Sequence, residues 1–436
     1  ALHEIGEQLD VFKHLTKWCE RSVDSSEIPT MVHRAFQQLT TGRPRPVEIE
    51  IPWNILPDQS NIELLEREVH PKIRPEPSDV KSAANALAHA ERPLIWVGGG
   101  AREANLSPEL LELAQALNAP VITTPEGKGA FPDNNILSLG TIYNGHGPGH
   151  HVVPQSDVIL AIGTRMHMVP KVEWSPQPHQ TLIQIDADPE EVGRNIPATI
   201  GIAADGRLAL QDLLSELGGK TRTSNWTPQE LESIRNTTTE EIRAMAPLQV
   251  EIIETIRKEL NDDAIMVSGT TEIGYWSHLA FPVLSPRSYL TSSYFATLGY
   301  AFPTALGAKV GNPDRQVVAT SGDGGFGYAS SELATAVQEN LNVVTILFNN
   351  ESYGASYADQ QNRYGGRVIG TRIHNPDYAK LAESYGASGL KLSRHQELGP
   401  NLRDALRANG PVLIEVPIPN LIPPFQISPP GIVRQP

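Results

Sequence analysis

Two clusters in this chain could supply oxygen ligands to a hard cation. Asp323 lies in Ser321-Gly322-Asp323-Gly324-Gly325-Phe326, and Asn350 closes Leu347-Phe348-Asn349-Asn350, 27 residues further on. An apolar run leads into each cluster, Gln316–Ala319 into the first and Val343–Phe348 into the second, so each reads as the end of a buried strand. Ligands of open parallel sheets bind beyond the carboxyl ends of the strands, which lets Asp323 and Asn350 face one site. The glycines allow close backbone approach and can aim N–H groups at phosphate oxygens. A helix opening at Asp323 favours an anion there. One carboxylate and one amide oxygen, with a main-chain carbonyl, water and two phosphate oxygens, make up the octahedral oxygen shell of Mg²⁺. Taken singly, Gly-Asp-Gly is a tight turn and Asn-Asn a strand-end cap. Their joint occurrence carries the argument.

Gly-Asp-Gly, a helix and then Asn-Asn at this spacing resembles the metal-diphosphate motif of thiamine-diphosphate enzymes. The resemblance implies that Asp323 and the side-chain oxygen of Asn350 bind Mg²⁺, with the carbonyl of Ser352 as third ligand. It implies a diphosphate held at Gly322, Gly324 and Gly325, with Tyr353 beside it. Ser268-Gly269-Thr270-Thr271 stands where the family sets small hydroxylated residues against the terminal phosphate. Tyr294-Phe295-Ala296-Thr297-Leu298-Gly299 is similar to the segment that holds the aminopyrimidine. There the carbonyl of Ala296 is expected to accept from the 4′-amino group, next to Thr297, and Leu298 to be the wedge that bends the cofactor into a V. The family often has glycine at the position of Ala296.

Thr41–Val47 through Ile51-Pro52-Trp53 resembles the close of the family's pyrimidine-binding domain, and Asp186-Ala187-Asp188-Pro189 a turn of its central domain. The glutamate that activates the cofactor in relatives belongs early in the pyrimidine-binding domain, and Glu4, Glu7, Glu20 and Glu27 do not match its setting. The resemblance therefore implies a truncated copy or one partner of a split enzyme, expected to bind Mg²⁺-diphosphate without turning over alone. A partner chain, or a homodimer or homotetramer, would complete the site. A non-catalytic subunit is the alternative.

The elements that must position these residues follow an α/β pattern of doubly wound, mostly parallel sheets. A helix is expected over Glu7–Val23, another over Ile28–Leu39, then a strand over Val47–Ile51; residues 1–60 read as the remnant of a pyrimidine-binding domain. After a proline-punctuated linker, residues 75–218 read as a Rossmann-like central domain with strands at Pro93–Val97, Pro120–Thr123, Val158–Ile162 and Leu182–Ile185. Lys220–Asn236 reads as a second linker. Residues 245–420 form the diphosphate-binding fold, with strands at Ala264–Val267, Val317–Ala319, Val343–Phe348 and Pro411–Val416, and 421–436 an extended tail.

Gly98-Gly99-Gly100 follows a strand and opens a helix, but the spaced dinucleotide fingerprint is absent. A structural turn is the reading, and FAD in the central domain is the lesser one. His146, His150, His151 and His167 cluster in a glycine-rich stretch and match no motif, reading as loop residues. Gln360 and Gln361 are placed to line a substrate pocket, and Trp276 and His278 read as core.

A net charge of −15 argues against a nucleic-acid or anionic-membrane partner. A diphosphate would then need a metal or a locally positive site. The single cysteine, Cys19, can form neither an internal disulfide nor a cysteine metal site, and points to a reducing cytoplasm. Asp359 stands where acetolactate synthases carry a tryptophan before the glutamine, and Asn-Asn-x-x-Tyr-Gly sits nearer benzoylformate decarboxylase. The expected activity is decarboxylation or carboligation of a 2-oxo acid.

Overall fold

The computed structural model describes residues 5–166, 176–218, 224–292 and 294–427. Three parallel sheets organise them. The first pairs β1 (Trp18–Arg21) with β2 (Val47–Glu50), Trp18 opposite Val47. This corrects the expected helix over Glu7–Val23, because the helix spans only Gln8–Lys13. Lys17 N donates to Pro46 O at 2.8 Å and Ser22 N to Glu50 O at 2.9 Å, so pairing with a distant strand overrides the local helical pattern.

The second sheet comprises β3 (Pro93–Val97), β4 (Val121–Thr123), β5 (Ser138–Thr141), β6 (Val158–Ile162), β7 (Thr181–Asp186) and β8 (Ile200–Ala203), in the order β5-β4-β3-β6-β7-β8. That is the doubly wound order of dinucleotide-binding sheets. Its central strands are unbroken apolar runs because helices cover both faces. The triple glycine is packing chemistry: a Cβ on Gly98 would lie 2.3 Å from the carbonyl oxygen of Gly163, and one on Gly100 3.0 Å from Gly163 Cα.

The expected linker after this sheet is partly helix. Thr227 accepts from Glu230 N to cap a helix over Pro228–Met245, whose buried Leu231, Ile234, Thr238 and Ile242 form one narrow stripe. Polar residues on its remaining surface hide the periodicity.

The third sheet comprises β9 (Ile265–Ser268), β10 (Tyr289–Thr291), β11 (Val317–Gly322), β12 (Val344–Asn349), β13 (Ser388–Lys391) and β14 (Val412–Pro417), in the order β10-β9-β11-β12-β14-β13. From β9 the chain first adds β10 on one side, then crosses back to lay β11 on the other. The gap between the ends of β9 and β11 is therefore the switch point, where such sheets bind ligands. The strands that sequence alone did not predict, β1, β5, β8, β10 and β13, are short, and each lies at the edge of its sheet.

Candidate cofactor site

The turns after β9, β11 and β12 converge on a cleft of about 430 Å³. It is lined by Thr270, Thr271, Ala296, Leu298, Gly322, Asp323, Gly324, Gly325, Asn350, Ser352 and Tyr353, all expected from sequence. Gly269 and Thr297 do not line it. Gly269 instead backs onto β11, where a Cβ would sit 2.6 Å from Thr320 O, and Thr297 O accepts a long 3.5 Å hydrogen bond from Thr270 Oγ1.

In-register pairing of Gly322 with Phe348 puts the two strand ends side by side. Asp323, only 2% exposed, then opens a short helix over Asp323–Gly327. Asn375 Nδ2 bridges the strand ends, donating to Asp323 Oδ2 at 2.6 Å and to Asn349 Oδ1 at 2.9 Å. Tyr378 Oη donates to the Asp323 carbonyl at 3.0 Å. Burial raises the Asp323 pKa, and the Asn375 amide and the N–H groups of Gly324 and Glu351 partly oppose that rise.

Asn350 is held by residues that sequence reasoning missed. Its Nδ2 donates to Glu272 Oε2 at 2.7 Å and to Asn420 Oδ1 at 3.1 Å, while its Oδ1 accepts from Ser352 N at 3.2 Å. Glu272 is 5% exposed, and burial pushes its carboxyl up to about 7, with the charge of Asp323 adding to the rise. Leu421 N donates to Glu272 Oε1 at 3.1 Å. The stretch from Ile418 to Ile427 thus folds back onto the protein instead of running over the surface as an extended tail; Ile418 lines the cleft and Pro424 is buried. Residues 428–436 lie outside the described ones. Nothing in the run Thr270–Gly274 marks Glu272 as special, and the tail gives no motif for Asn420.

Thr271 caps the helix Glu272–Ala280, accepting from the N–H groups of Ile273 and Gly274 at 3.1 and 3.3 Å. A hydroxyl that accepts twice keeps its hydrogen to donate. Ala296 has φ +55°, the left-handed region that glycine adopts without penalty. A Cβ on Gly325 would lie 3.9 Å from Leu298 Cδ2, so Leu298 faces the glycine turn.

The donor set fits a metal-bound diphosphate. The lining holds two buried carboxylates, Asp323 and Glu272, and no lysine or arginine. A diphosphate alone would meet like charge. A divalent cation between the carboxylate and the phosphates turns repulsion into attraction, and its all-oxygen surroundings suit Mg²⁺.

The remaining candidates divide cleanly. Trp276 and His278 are buried core, with Trp276 Nε1 donating to Ile422 O at 3.0 Å. His146 Nε2 lies 3.0 Å from Pro424 O and ties the end of the described chain to the central sheet's loops. His150 and His151 both meet Glu241; His167 lies outside the described residues. Gln360 holds the loop at Ile369 and Thr371 while lining a neighbouring open cleft with Arg367. Gln361 donates to Tyr357 Oη at 3.1 Å.

A doubly wound central sheet, and a second sheet whose switch point carries an acidic, glycine-walled cleft, define a thiamine pyrophosphate enzyme, and the chain belongs to that family. Residues 269–416 match the thiamine pyrophosphate enzyme C-terminal TPP binding domain, and residues 80–213 match the family's central domain. Within the family the chain is similar to acetolactate synthase large subunits. It is 34% identical to the probable acetolactate synthase large subunit of Methanocaldococcus jannaschii over 96% of this chain and 74% of that one. It is 30% identical to the acetolactate synthase isozyme 3 large subunit of Escherichia coli, over 90% and 72% respectively. It is also 31% identical to the probable 2-ketoarginine decarboxylase of Pseudomonas aeruginosa, over 95% and 74%.

Proposed function

We propose that this chain binds thiamine diphosphate through Mg²⁺ in the cleft and acts on 2-oxo acids by decarboxylation or carboligation. The observation that carries this reading is a cleft of about 430 Å³ whose charged lining residues, among the described ones, are the buried acids Asp323 and Glu272. Asp323, Asn350 Oδ1 and the Ser352 carbonyl would hold Mg²⁺. The Gly324 and Gly325 N–H groups, with Gly322, Tyr353 and the hydroxyls of Thr270 and Thr271, would receive the diphosphate. The bound cofactor supplies a carbon nucleophile that attacks a carbonyl and a ring that then takes up the electron pair.

The protein's part is positioning. Glu272 and Asn420 engage the Asn350 amide hydrogens, which leaves its oxygen as the ligand atom. Leu298 and the Ala296 carbonyl would set the aminopyrimidine, and Phe348 and Ile418 give the cleft apolar wall. Phe295, 82% exposed beside Ala296, and Tyr328 at 67% form an apolar rim suited to cover by another subunit, which supports a homo-oligomer or a partner chain. The names of the similar proteins include both a synthase and a decarboxylase, so the choice between reaction types rests on product analysis.

Two measurements test the proposal. Thiamine diphosphate and Mg²⁺ together should raise the melting temperature, and neither should do so alone. Pyruvate turnover, followed for carboligation product and for free aldehyde with CO₂, then assigns the reaction type. No stabilisation by the cofactor and metal together would overturn the assignment of the cleft.

A further inference from the structure

Among the described residues, one group of histidine, cysteine and acidic side chains has the geometry of a metal site: His150, His151 and Glu241, whose ligand atoms all lie within 4.8 Å of one another. We propose that His150 Nε2, His151 Nε2 and Glu241 Oε2 form a binding site for a divalent transition cation of the Zn²⁺ class, separate from the diphosphate cleft.

Both imidazoles bring the same atom close to one carboxylate oxygen, and His150 Nε2 is buried there without a hydrogen-bond partner. His150 Nε2 lies 3.2 Å and His151 Nε2 3.1 Å from Glu241 Oε2. In a tetrahedral site with metal–ligand bonds of about 2.0–2.1 Å, neighbouring ligand atoms are roughly 3.3 Å apart. Two edges of such a tetrahedron are therefore already in place, and the two ring nitrogens, within 4.8 Å of each other, would draw together on binding. The two rings lie against each other, with centroids 3.8 Å apart and planes tilted by 42°. Among the described residues, these two imidazoles are Glu241's only ion-pair partners, so no lysine or arginine competes for the carboxylate.

Chemistry selects the ion. Two imidazole nitrogens and one carboxylate suit Zn²⁺ and its neighbours, whereas Mg²⁺ and Ca²⁺ prefer oxygen alone. The three side chains are a quarter to under a third exposed, which gives the ion a path in and leaves a coordination position for water.

The site's position gives it a role. His150 and His151 sit in the turn Gly149–Val152 between β5 and β6 of the central sheet. Glu241 sits on the helix Pro228–Met245, which leads from that sheet to the one bearing the cofactor cleft. A bound ion would staple the connecting helix to the central sheet.

Cobalt tests this directly, because Co²⁺ takes zinc sites and shows visible d–d bands there. The full chain should bind one equivalent of Co²⁺ with those bands and be displaced by Zn²⁺. His151→Ala and Glu241→Gln should each lower the affinity by more than the roughly 10- to 100-fold that loss of an outer-shell partner costs. Asp323→Asn should leave the bands unchanged. Crystals of the unaltered protein soaked in Zn²⁺ should show an anomalous peak between the three ligand atoms, a readout that does not depend on any variant folding. Absence of that peak, or cobalt bands that survive both ligand substitutions, would overturn the proposal.

Discussion

Asn350 Nδ2 donates to Glu272 Oε2 across 2.7 Å, and this contact decides which end of the amide is left for a cation. An amide has two donors on nitrogen and acceptor pairs on oxygen. With Glu272 and Asn420 as acceptors on one side, the nitrogen is committed, and Asn350 Oδ1 keeps only a 3.2 Å contact with Ser352 N. A residue that touches no phosphate therefore orients one that would touch the metal.

Gly354 keeps that arrangement possible. A Cβ there would lie 2.1 Å from Glu272 Oε1 and 2.8 Å from Asn350 Nδ2. Glu272 is buried and cannot swing into solvent. Gly354→Ala should cost about 1–3 kcal/mol of overpacking and turn Asn350 out of line. The expected result is at least a tenfold weaker response to Mg²⁺ and thiamine diphosphate, about 1.4 kcal/mol, read as the ligand dependence of the melting temperature. An unaltered ligand response would show that the orientation of Asn350 does not matter.

Asp323→Asn separates stability from binding. Among the described residues the buried carboxylate has no cationic partner, and its pKa is raised by burial, so the ligand-free fold gains little from its charge. The amide oxygen can still accept from Asn375. Ligand-free stability should stay within about 1 kcal/mol of the parent by urea unfolding. The stabilisation conferred by cofactor and Mg²⁺, about 2.7 kcal/mol at a hundred times Kd, should vanish. A variant that still gains it would remove Asp323 from the metal site.

How much of this was legible follows from where each signal lives. Asp323 and Asn350 declare themselves because strand, glycine turn and strand are contiguous patterns with a fixed spacing. Glu272, Asn375 and Asn420 do not, because their roles arise from contacts between turns that only the folded sheet brings together. The central strands β3, β6, β11 and β12 are buried on both faces and read as apolar runs. The edge strand β13, Ser388–Lys391, has no such run, and only its pairing with β14 defines it. Trp18–Arg21 follows a helical pattern in sequence and becomes strand through its partner Val47–Glu50.

Ala296 offers a test of strain. Its φ of +55° costs an L-residue about 1–2 kcal/mol, and glycine at the same place would add about 0.5–1 kcal/mol of unfolded-state entropy. Ala296→Gly should therefore change stability by between zero and about +1.5 kcal/mol, and Ala296→Val, β-branched, should lose more than about 1 kcal/mol. Urea unfolding of the three proteins checks the order. If valine proves as stable as glycine, the left-handed turn is not held in solution.

The pH dependence of stability sets two buried groups against each other. His278 is fully enclosed beside Tyr289, and burial pushes it down to about 3 from 6.5. As pH falls below 6.5 the unfolded chain takes up this proton and the fold does not, so stability is lost, by about 2 kcal/mol between pH 7 and 5. Glu272 is pushed the other way, from 4.5 to about 7. The fold takes up that proton first, so stability is gained over the same interval, again by about 2 kcal/mol. The two oppose each other in the metal-free parent, and each substitution should unmask the other group. Urea unfolding in chelator at pH 7 and 5 should show Glu272→Gln losing about 2 kcal/mol more than the parent on acidification, and His278→Gln losing about 2 kcal/mol less. Carboxylates with lowered pKa values, such as Glu259 and Glu397, lose their stabilisation only below about pH 4.5, and groups raised by burial toward this window, such as Asp323 and Asp186, are common to parent and variants. Parallel profiles for parent and Glu272→Gln would mean that the carboxyl is solvated in the ligand-free protein, and that the acidic cleft attracts its cation without the help of a second buried acid.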